Sequence, residues 1–279
     1  MKRIFIVGIA RSGTTLLQSI LGSHPDVRVF PESHIFDRTL HKHPLARRII
    51  GVYRGRDEVV REFLDQVSAE DLHLRYDQTR WSLRSWTAHV FSRLDAVSAR
   101  SGHRIWVEKT PLHLHYAAML TDFFPEVKVI HIVRKPLANI GALLEVSRRY
   151  PETFAQGTID LAIRRYLREI QISNQLGPTM NHRIVRYEDL VRQPEQEVRA
   201  LCKFLELGYS DEMMAFRETA DEVSTSSEVW KANNQRGIFH ADKTRQRLTD
   251  AERGLIEQSM RHIPQAYDQI WTPDEACTA

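Results

Sequence analysis

The feature that most constrains the fold is an apolar run that ends in a glycine-bounded loop near the start of the chain. Residues 4–7 read Ile-Phe-Ile-Val, and Gly8 and Gly13 follow five positions apart. Apolar residues then recur at helical spacing: Leu16, Leu17, Ile20 and Leu21. We therefore predict a β-strand, a tight loop and an α-helix. Because the free N–H groups at a helix N-terminus attract anions, the loop predicts a phosphate-binding site.

The loop differs from the Walker A pattern GxxxxGK[ST] at its lysine position, which Thr14 occupies. Both glycines and the final hydroxyl residue, Thr15, are present. Without the lysine a nucleoside triphosphate is held poorly, whereas Arg11 offers a planar, permanently charged fork to a smaller anion. The loop therefore favours a 5′-phosphate or a phosphosulfate over ATP with magnesium.

Length and composition indicate one folded domain that spans residues 1–279. The chain has 279 residues, of which 42% are hydrophobic, enough for a sizeable core. Its 39 basic and 36 acidic residues are too nearly balanced to indicate nucleic acid as a partner. No apolar segment approaches the roughly 18 residues that a membrane span needs. The two cysteines, Cys202 and Cys277, resemble neither a disulfide framework nor a metal site, so we expect a cytoplasmic protein.

A second strand is predicted at Val27–Phe30, and it leads into Pro31-Glu32-Ser33-His34. Ligands bind at the carboxyl edge of open parallel sheets. We therefore expect Glu32 and His34 to face the same crevice as the glycine loop.

Residues 37–102 lack strand signals and predict a helical insertion over the sheet, with helices at Asp57–Val67 and Trp81–Ala99. The first part of this insertion is basic, through Arg38, Lys42, Arg47, Arg48, Arg54, Arg56 and Arg61. These charges are explained either by a solvated face or by a wall that receives an anionic acceptor, and the sequence leaves both interpretations open.

The remaining pattern alternates strands and helices, and it predicts a central, mainly parallel sheet in a three-layer α/β fold like that of P-loop NTPases. Strands are predicted at Ile105–Val107, Val127–Val133 and Arg183–Tyr187. Helices are predicted at Leu112–Phe123, Pro136–Glu145, Phe154–Leu176, Glu195–Leu205, Ser210–Thr219 and Thr249–Met260. The strand ending at Val133 is followed by Arg134, whereas the corresponding strand of an ATPase ends in an aspartate that binds magnesium.

Three motifs in this order resemble those of sulfotransferases that use 3′-phosphoadenosine 5′-phosphosulfate (PAPS). They are Arg11-Ser12-Gly13-Thr14-Thr15, Arg134 after its strand, and Arg186-Tyr187-Glu188-Asp189-Leu190. The first motif with His24-Pro25-Asp26-Val27-Arg28 is similar to tyrosylprotein sulfotransferases. The stretches Glu32 to Asp37 and Glu108 to Pro111 are similar to heparan sulfate 3-O-sulfotransferases.

The resemblance implies the residues that bind the donor. The loop that binds the 5′-phosphosulfate corresponds to Arg11, Ser12, Gly13, Thr14, Thr15 and Leu16, and the arginine that binds the 3′-phosphate corresponds to Arg134. Tyr187 is a candidate nucleotide contact. Thr225 or Ser226 is expected near the sulfuryl group. The family usually has a serine eight residues after that arginine, where this chain has Ala142. Basic residues of the late segment could compensate: Lys231, Arg236, Lys243 and Arg245.

The resemblance also implies the catalytic residues. Glu32 is the expected general base, and Arg11 and Lys109 are expected to stabilise the leaving oxygen. His34 would assist the base or orient the acceptor, although a structural role explains it equally well. His113 is the alternative base, ranked second because the predicted helix could turn it toward solvent. No metal is expected.

Two other functions remain open: an ATP-dependent small-molecule kinase, and a nucleotide-binding homologue without activity. The acceptor is equally open among a small molecule or natural product, a phenol, a glycan and a lipid, and the sequence does not indicate an oligomeric state.

Overall fold

The computed structural model describes residues 1–52, 57–67, 82–151, 157–177, 179–216 and 244–261. Its strands are β1 Lys2–Gly8, β2 Val27–Phe30, β3 Ile105–Lys109, β4 Lys128–Val133 and β5 His182–Arg186. They form one sheet in the order β2-β3-β1-β4-β5, and every neighbouring pair is parallel. The predicted parallel sheet is therefore confirmed.

The register brings the carboxyl ends of the strands to one edge. Ile6 pairs with Lys109 on one side of β1, and Gly8 pairs with Ile132 on the other. The chain leaves β1 between the ends of β3 and β4, two strands that come from different parts of the sequence. In parallel sheets of this kind, ligands bind at such a point.

Helices cover both faces of the sheet, as predicted. The α-helices of the described ranges are α1 Thr14–Gly22, α2 Ile35–Thr39, α3 Pro44–Ile50, α4 Asp57–Val67, α5 Leu83–Arg100, α6 Ala117–Phe123, α7 Pro136–Arg149, α8 Ile159–Leu176, α9 Tyr187–Arg192, α10 Pro194–Leu205, α11 Thr244–Arg247 and α12 Asp250–Met260. Alternate residues of β1 point to opposite faces, so Phe5 packs with α2, α4 and α5, whereas Ile4 packs with α1, α9 and α10.

The predicted helical insertion contributes to the main core. Phe91 of α5 lies 5.7 Å from Phe5 and 5.7 Å from Trp106 between ring centroids. Burying one such ring stabilises the fold by about 2–3 kcal/mol. We conclude that α5 is part of the scaffold that fixes β1 and β3, and hence of the site at their ends.

Several predicted boundaries differ from the structure. The helix predicted at Leu112–Phe123 is a 3₁₀ helix, Pro111–Tyr116, followed by α6, because the N–H of His113 already bonds to the Thr110 carbonyl at 2.9 Å. The helix predicted from Phe154 begins, as α8, at Ile159, where the Thr158 hydroxyl accepts the Leu161 N–H at 3.3 Å.

Near the end of the sheet, Tyr187 begins α9 instead of ending β5. The helix predicted at Ser210–Thr219 is a single 3₁₀ turn, Asp211–Met214, and residues 217–219 lie outside the described ranges. None of the helices in the described part of the chain has both the length and the apolar character that a bilayer crossing requires.

Candidate active site

The glycine loop joins β1 to α1 at the carboxyl edge of the sheet, as predicted. Gly13 has φ 101°, and a Cβ at this position would lie 2.5 Å from Cδ2 of Tyr187. A side chain is therefore excluded both by the backbone conformation and by the ring. Thr14, Thr15 and Leu16 form the first turn of α1 and are buried. The structure thus brings Tyr187, a predicted nucleotide contact, directly against the loop.

Helix α7 fixes the loop from the side. Asn139 Nδ2 donates to the Ala10 carbonyl and to Ser12 Oγ, both at 3.0 Å. Ser12 and Asn139 are fully buried, so these hydrogen bonds are shielded from water. Sequence reasoning missed Asn139, and its only signal was a polar residue on the buried face of an amphipathic helix.

Arg11 is held in a strained conformation inside the loop. Its φ of 71° is in the left-handed region, which costs a non-glycine residue about 1–2 kcal/mol. Its buried Nε has no hydrogen-bond partner among the described residues. Burial, Arg247 and Arg134 together lower the pKa of Arg11. Such a group gains from an anion that brings hydrogen-bond acceptors and negative charge, so the loop fits the 5′-phosphosulfate that the sequence predicts.

Arg134 follows β4 and reaches across to the loop. Its Nη1 donates to the Arg11 carbonyl at 3.2 Å, and its guanidinium lies 4.2 Å from the centre of the Tyr187 ring. The Tyr166 hydroxyl donates to the Arg134 carbonyl at 2.8 Å. Among the predicted donor-binding residues, Arg134 therefore contacts both Arg11 and Tyr187.

Arg247 is a cation of this group that the sequence did not single out. Its Nε lies 2.6 Å from Glu145 Oε2 on α7. A Cβ on Gly141 would lie 3.5 Å from Cβ of Arg247, so the late segment packs on α7 next to the buried Ala142. Lys231 and Lys243, predicted to bind the donor, lie outside the described residues, as do Thr225, Ser226 and Arg236, and the side chain of Arg245 is not described.

A second group of charges lies on the other side of β1. Lys109 Nζ is 2.5 Å from Glu32 Oε1, and His34 Nε2 is 3.4 Å from Glu32 Oε2. Lys109 is only 1% exposed, whereas the side chain of Glu32 is 22% exposed. Both cations offset the negative charge of the Glu32 carboxylate. The predicted catalytic residues Glu32, Lys109 and His34 are thus brought together.

This group continues into the protein as a chain of alternating charges. His34 Nδ1 lies 3.2 Å from Asp37 Oδ2, and His113 Nε2 lies 3.4 Å from Asp37 Oδ1. His113 Nδ1 is then 2.9 Å from Glu108 Oε2, and both of these side chains are buried. We call Glu32, His34, Asp37, His113 and Glu108 the carboxylate–histidine chain.

The carboxylate–histidine chain shifts the pKa values of its members. Burial alone would lower the pKa of His34, but hydrogen bonds to Asp37 and Glu32 outweigh burial and raise it to about 9. Burial is outweighed in the same way at His113, whose pKa is raised by Glu108 and Asp37. At Asp37 and Glu108 burial is outweighed by the histidines, so both carboxyl pKa values are lowered.

The expectation that His113 turns toward solvent is wrong. The side chain is 0% exposed, because the 3₁₀ turn points it at Glu108 and Asp37. His113 is thus a buried histidine between two carboxylates, whereas Glu32 is partly exposed.

Sequence reasoning missed Asp37 and Glu108. Asp37 was visible as the residue three positions after His34 in a short helix, and Glu108 as a charge inside the apolar strand β3. The pairing of Asp37 with His113 was not visible, because the two residues are far apart in sequence. The Glu108–His113 pair depends on the 3₁₀ turn, which the sequence did not predict. Within the described residues, no group of three or more histidine, cysteine or carboxylate side chains is arranged to hold a metal ion.

We expect the stability of the fold to fall as the pH rises from about 6.5 to above 9. The pKa of His34 is about 9 in the folded protein and about 6.5 when unfolded. Its contribution is therefore fully present below pH 6.5 and is lost as the pH rises through 9. His34→Asn, which tolerates φ 50°, should flatten this decline in urea unfolding at pH 6, 7.5 and 9. Parallel pH profiles for the variant and the wild type would refute the role of His34.

The comparisons with known proteins agree with the phosphate-binding features of the site. Residues 3–211 match a family described as "Sulfotransferase family". A protein-tyrosine sulfotransferase of Drosophila melanogaster is 26% identical over 223 residues, which cover 78% of this chain and 40% of the fly protein. The nodulation protein NoeE of Sinorhizobium fredii is 28% identical over 236 residues, which cover 76% of this chain and 51% of NoeE. The chain thus spans about half or less of the length of these curated relatives.

Solved structures share the fold. A sulfotransferase domain from the curacin biosynthetic pathway superimposes with a TM-score of 0.60 at 21% identity, covering 92% of this chain and 96% of that domain. A mouse sulfotransferase complexed with PAP gives a TM-score of 0.55 at 14% identity, covering 98% of this chain and 89% of the mouse chain.

Proposed function

Because the chain belongs to the sulfotransferase family, we propose that it transfers a sulfuryl group from PAPS to an acceptor hydroxyl. The observation that carries this proposal is the arrangement at one sheet edge. The glycine loop with Arg11 and Arg134 lies on one side of β1, and the Glu32–Lys109 pair lies on the other. A base and a phosphate site at the same edge of the sheet are the arrangement that sulfuryl transfer requires.

The residues around the loop fit this donor. Arg11, with the first amides of α1, would hold the 5′-phosphosulfate, and Arg134 would hold the 3′-phosphate against the Tyr187 ring. Where the family usually has a serine, this chain has Ala142, and Arg247 is the described cation next to that position. Among the described charges that act on Arg11, the two arginines Arg247 and Arg134 outnumber the one carboxylate, Glu145, which favours an anionic ligand.

Glu32 and Lys109 would act together in the transfer. The acceptor oxygen forms a bond to sulfur, the bond between sulfur and the 5′-phosphate oxygen breaks with its electrons left on that oxygen, and the acceptor proton passes to Glu32. Protonation of Glu32 weakens its hold on Lys109, whose ammonium group then becomes available to the negative charge that develops on the leaving oxygen. Arg11 stabilises the same charge from the loop.

The rival kinase function is tested by calorimetry with adenosine 3′,5′-bisphosphate (PAP) and with ATP and magnesium. Thr14 at the lysine position and Arg134 after β4 disfavour ATP. We expect PAP to bind and ATP to bind weakly or not at all. A preference for ATP with magnesium would overturn the proposal.

Arg134→Gln should weaken PAP by roughly 10- to 100-fold, because a charge-assisted hydrogen bond contributes about 1.5–3 kcal/mol. AMP, which lacks the 3′-phosphate, is the matched ligand and should bind the variant and the wild type alike. Calorimetry of both ligands gives the comparison. An equal loss for PAP and AMP would show instead that Arg134 acts by holding the loop through the Arg11 carbonyl.

Transfer itself is tested by an acceptor screen with PAPS that covers small phenols, natural products, glycans and lipids. A gain in mass of one sulfuryl group, with release of PAP, is the expected result. If the chain binds PAP but transfers a sulfuryl group to no member of this panel, the result would favour the alternative function, a nucleotide-binding homologue without activity. The single domain over residues 1–279 and the cytoplasmic location stay predictions, to be checked by limited proteolysis and by cell fractionation.

A further inference from the structure

A cluster of basic side chains lies beside the candidate active site, and none of its members belongs to the carboxylate–histidine chain or to the glycine loop. Its elements are the segment after α2, helix α3, the 3₁₀ helix and the middle of α8. We call it the His115 cluster, and its members are Lys42, Arg47, His115, Arg165, Arg168 and Glu169.

Arg47 forms the buried base of the His115 cluster. It is 5% exposed, its Nη1 donates to the His41 and His115 carbonyls at 3.4 and 3.3 Å, and its guanidinium lies 4.8 Å from the Tyr116 ring. Neither carbonyls nor a ring neutralise a guanidinium, so a positive charge is fixed beside His115.

The charges of the His115 cluster do not balance. Glu169 is 1% exposed and accepts from Arg165 Nε at 3.0 Å, while its buried Oε2 has no hydrogen-bond partner in the described ranges. One carboxylate therefore faces four permanent cations. Burial, and then Lys42, Arg168, Arg165 and Arg47, lower the pKa of His115 to about 4, so this ring is neutral at pH 7. The lowered pKa of His115 is thus consistent with an excess of positive charge around its ring.

The cluster borders the proposed reaction centre on two sides. His115 lies two residues after His113, which belongs to the carboxylate–histidine chain that begins at Glu32. Tyr166, between Arg165 and Arg168 on α8, donates to the carbonyl of Arg134, the proposed 3′-phosphate residue. The His115 cluster thus shares the 3₁₀ helix with the carboxylate–histidine chain and shares α8 with the tyrosine that bonds to Arg134.

We propose that the His115 cluster binds a carboxylate or another anionic group of the acceptor, so that the acceptor is an anion with a hydroxyl group. This inference rests on the proposed function. Lys42 and Arg168 are exposed and so are accessible to an incoming anion, whereas Arg47 and Glu169 are buried. Of the two interpretations of the basic insertion that the sequence left open, the structure favours the wall for an anionic acceptor, because cations from α8 join it.

The test compares acids with their neutral counterparts on the PAP-loaded protein. The probes are 4-hydroxyphenylacetate, 12-hydroxydodecanoate and glucuronate, each paired with its methyl ester. Saturation-transfer NMR reads weak binding without requiring turnover. The variant is Lys42→Gln with Arg168→Gln, which spares the Arg165–Glu169 pair. The control is Arg192→Gln with Arg199→Gln on α9 and α10, which removes the same charge from side chains that are 66% and 53% exposed.

At least one acid should bind more tightly than its ester, and the variant should lose roughly three- to tenfold of that preference, since each exposed cation contributes about 0.2–1 kcal/mol. The control should keep the preference. Equal binding of every acid and ester, or a preference that survives in the variant, overturns the anion site. PAP binding by calorimetry separates the two proposals: if PAP does not bind, the proposed function itself fails, whereas intact PAP binding without acid selectivity rejects the anion site alone.

Discussion

Glu32→Gln should lower turnover by about 10²- to 10⁴-fold while leaving the affinity for PAP unchanged. General bases contribute rate accelerations of this size. Glutamine keeps the shape of the side chain and can still accept from Lys109 Nζ, which lies 2.5 Å from Glu32 Oε1, but it cannot take a proton at neutral pH. Single-turnover rates with PAPS and any acceptor found in the screen, together with calorimetry of PAP, measure both parts of the prediction.

The matched control for this variant is Glu126→Gln. Glu126 also pairs with a cation, Arg3, at 2.6 Å, but its side chain is 53% exposed and lies away from the carboxyl edge of the sheet. The control should keep full activity. Full activity of Glu32→Gln would mean that Glu32 is not the base, and a loss of PAP affinity would mean that it acts through the donor site.

The Lys109–Glu32 contact also bears on the role of Lys109. In the structure this ammonium group pairs with the Glu32 carboxylate, whereas the sequence predicted that it stabilises the leaving oxygen. The two roles are compatible if one follows the other during the reaction, because the ammonium group is held by Glu32 until Glu32 receives a proton. Lys109→Met would then remove both the cation that stabilises the leaving oxygen and the ion-pair partner of Glu32.

The sequence was sufficient for what depends on local pattern. The Gly8–Gly13 loop, the Val27–Phe30 strand and the position of Arg134 after a buried strand each follow from short-range periodicity and turn residues. Because parallel strands end at one edge, the pattern also implied that Glu32 and the loop would lie in one crevice. The structure places both at the carboxyl edge of the sheet.

What the sequence could not provide depends on contacts between distant segments. The His113–Asp37 pair joins the 3₁₀ helix to α2, and Arg247 reaches α7 from the other end of the chain. No periodicity encodes such pairs, since a charged residue is equally compatible with a solvated face. The orientation of His113 was wrong for a related reason: the predicted α-helix and the observed 3₁₀ turn place the same side chain on different faces.

The largest expected effect on stability is that of Glu108→Gln. Glu108 Oε1 accepts from the Ser33 amide at 3.2 Å, the Ser33 hydroxyl at 2.8 Å and the Thr110 hydroxyl at 2.5 Å, while Oε2 faces His113 Nδ1 at 2.9 Å. A glutamine has one acceptor oxygen, so keeping the Ser33 and Thr110 bonds turns its NH₂ group toward His113. His113 Nε2 accepts from the Phe36 N–H at 3.3 Å, so Nδ1 is the donor that faces this position. It then meets another donor, and the ring loses the buried carboxylate that raises its pKa.

Breaking a buried ion pair on one side costs about 3–5 kcal/mol, whereas an exposed pair contributes about 0–1 kcal/mol. Urea unfolding at pH 7 should therefore show a large loss for Glu108→Gln and almost none for Glu126→Gln. Since the pKa of Glu108 is lowered in the folded protein, its contribution is present above its unfolded pKa of about 4.3 and is lost at lower pH. The difference between variant and wild type should accordingly shrink below pH 4. A loss under about 1 kcal/mol at pH 7, or a difference that does not change with pH, would show that His113 is held in place by packing and that the carboxylate–histidine chain ends at Asp37.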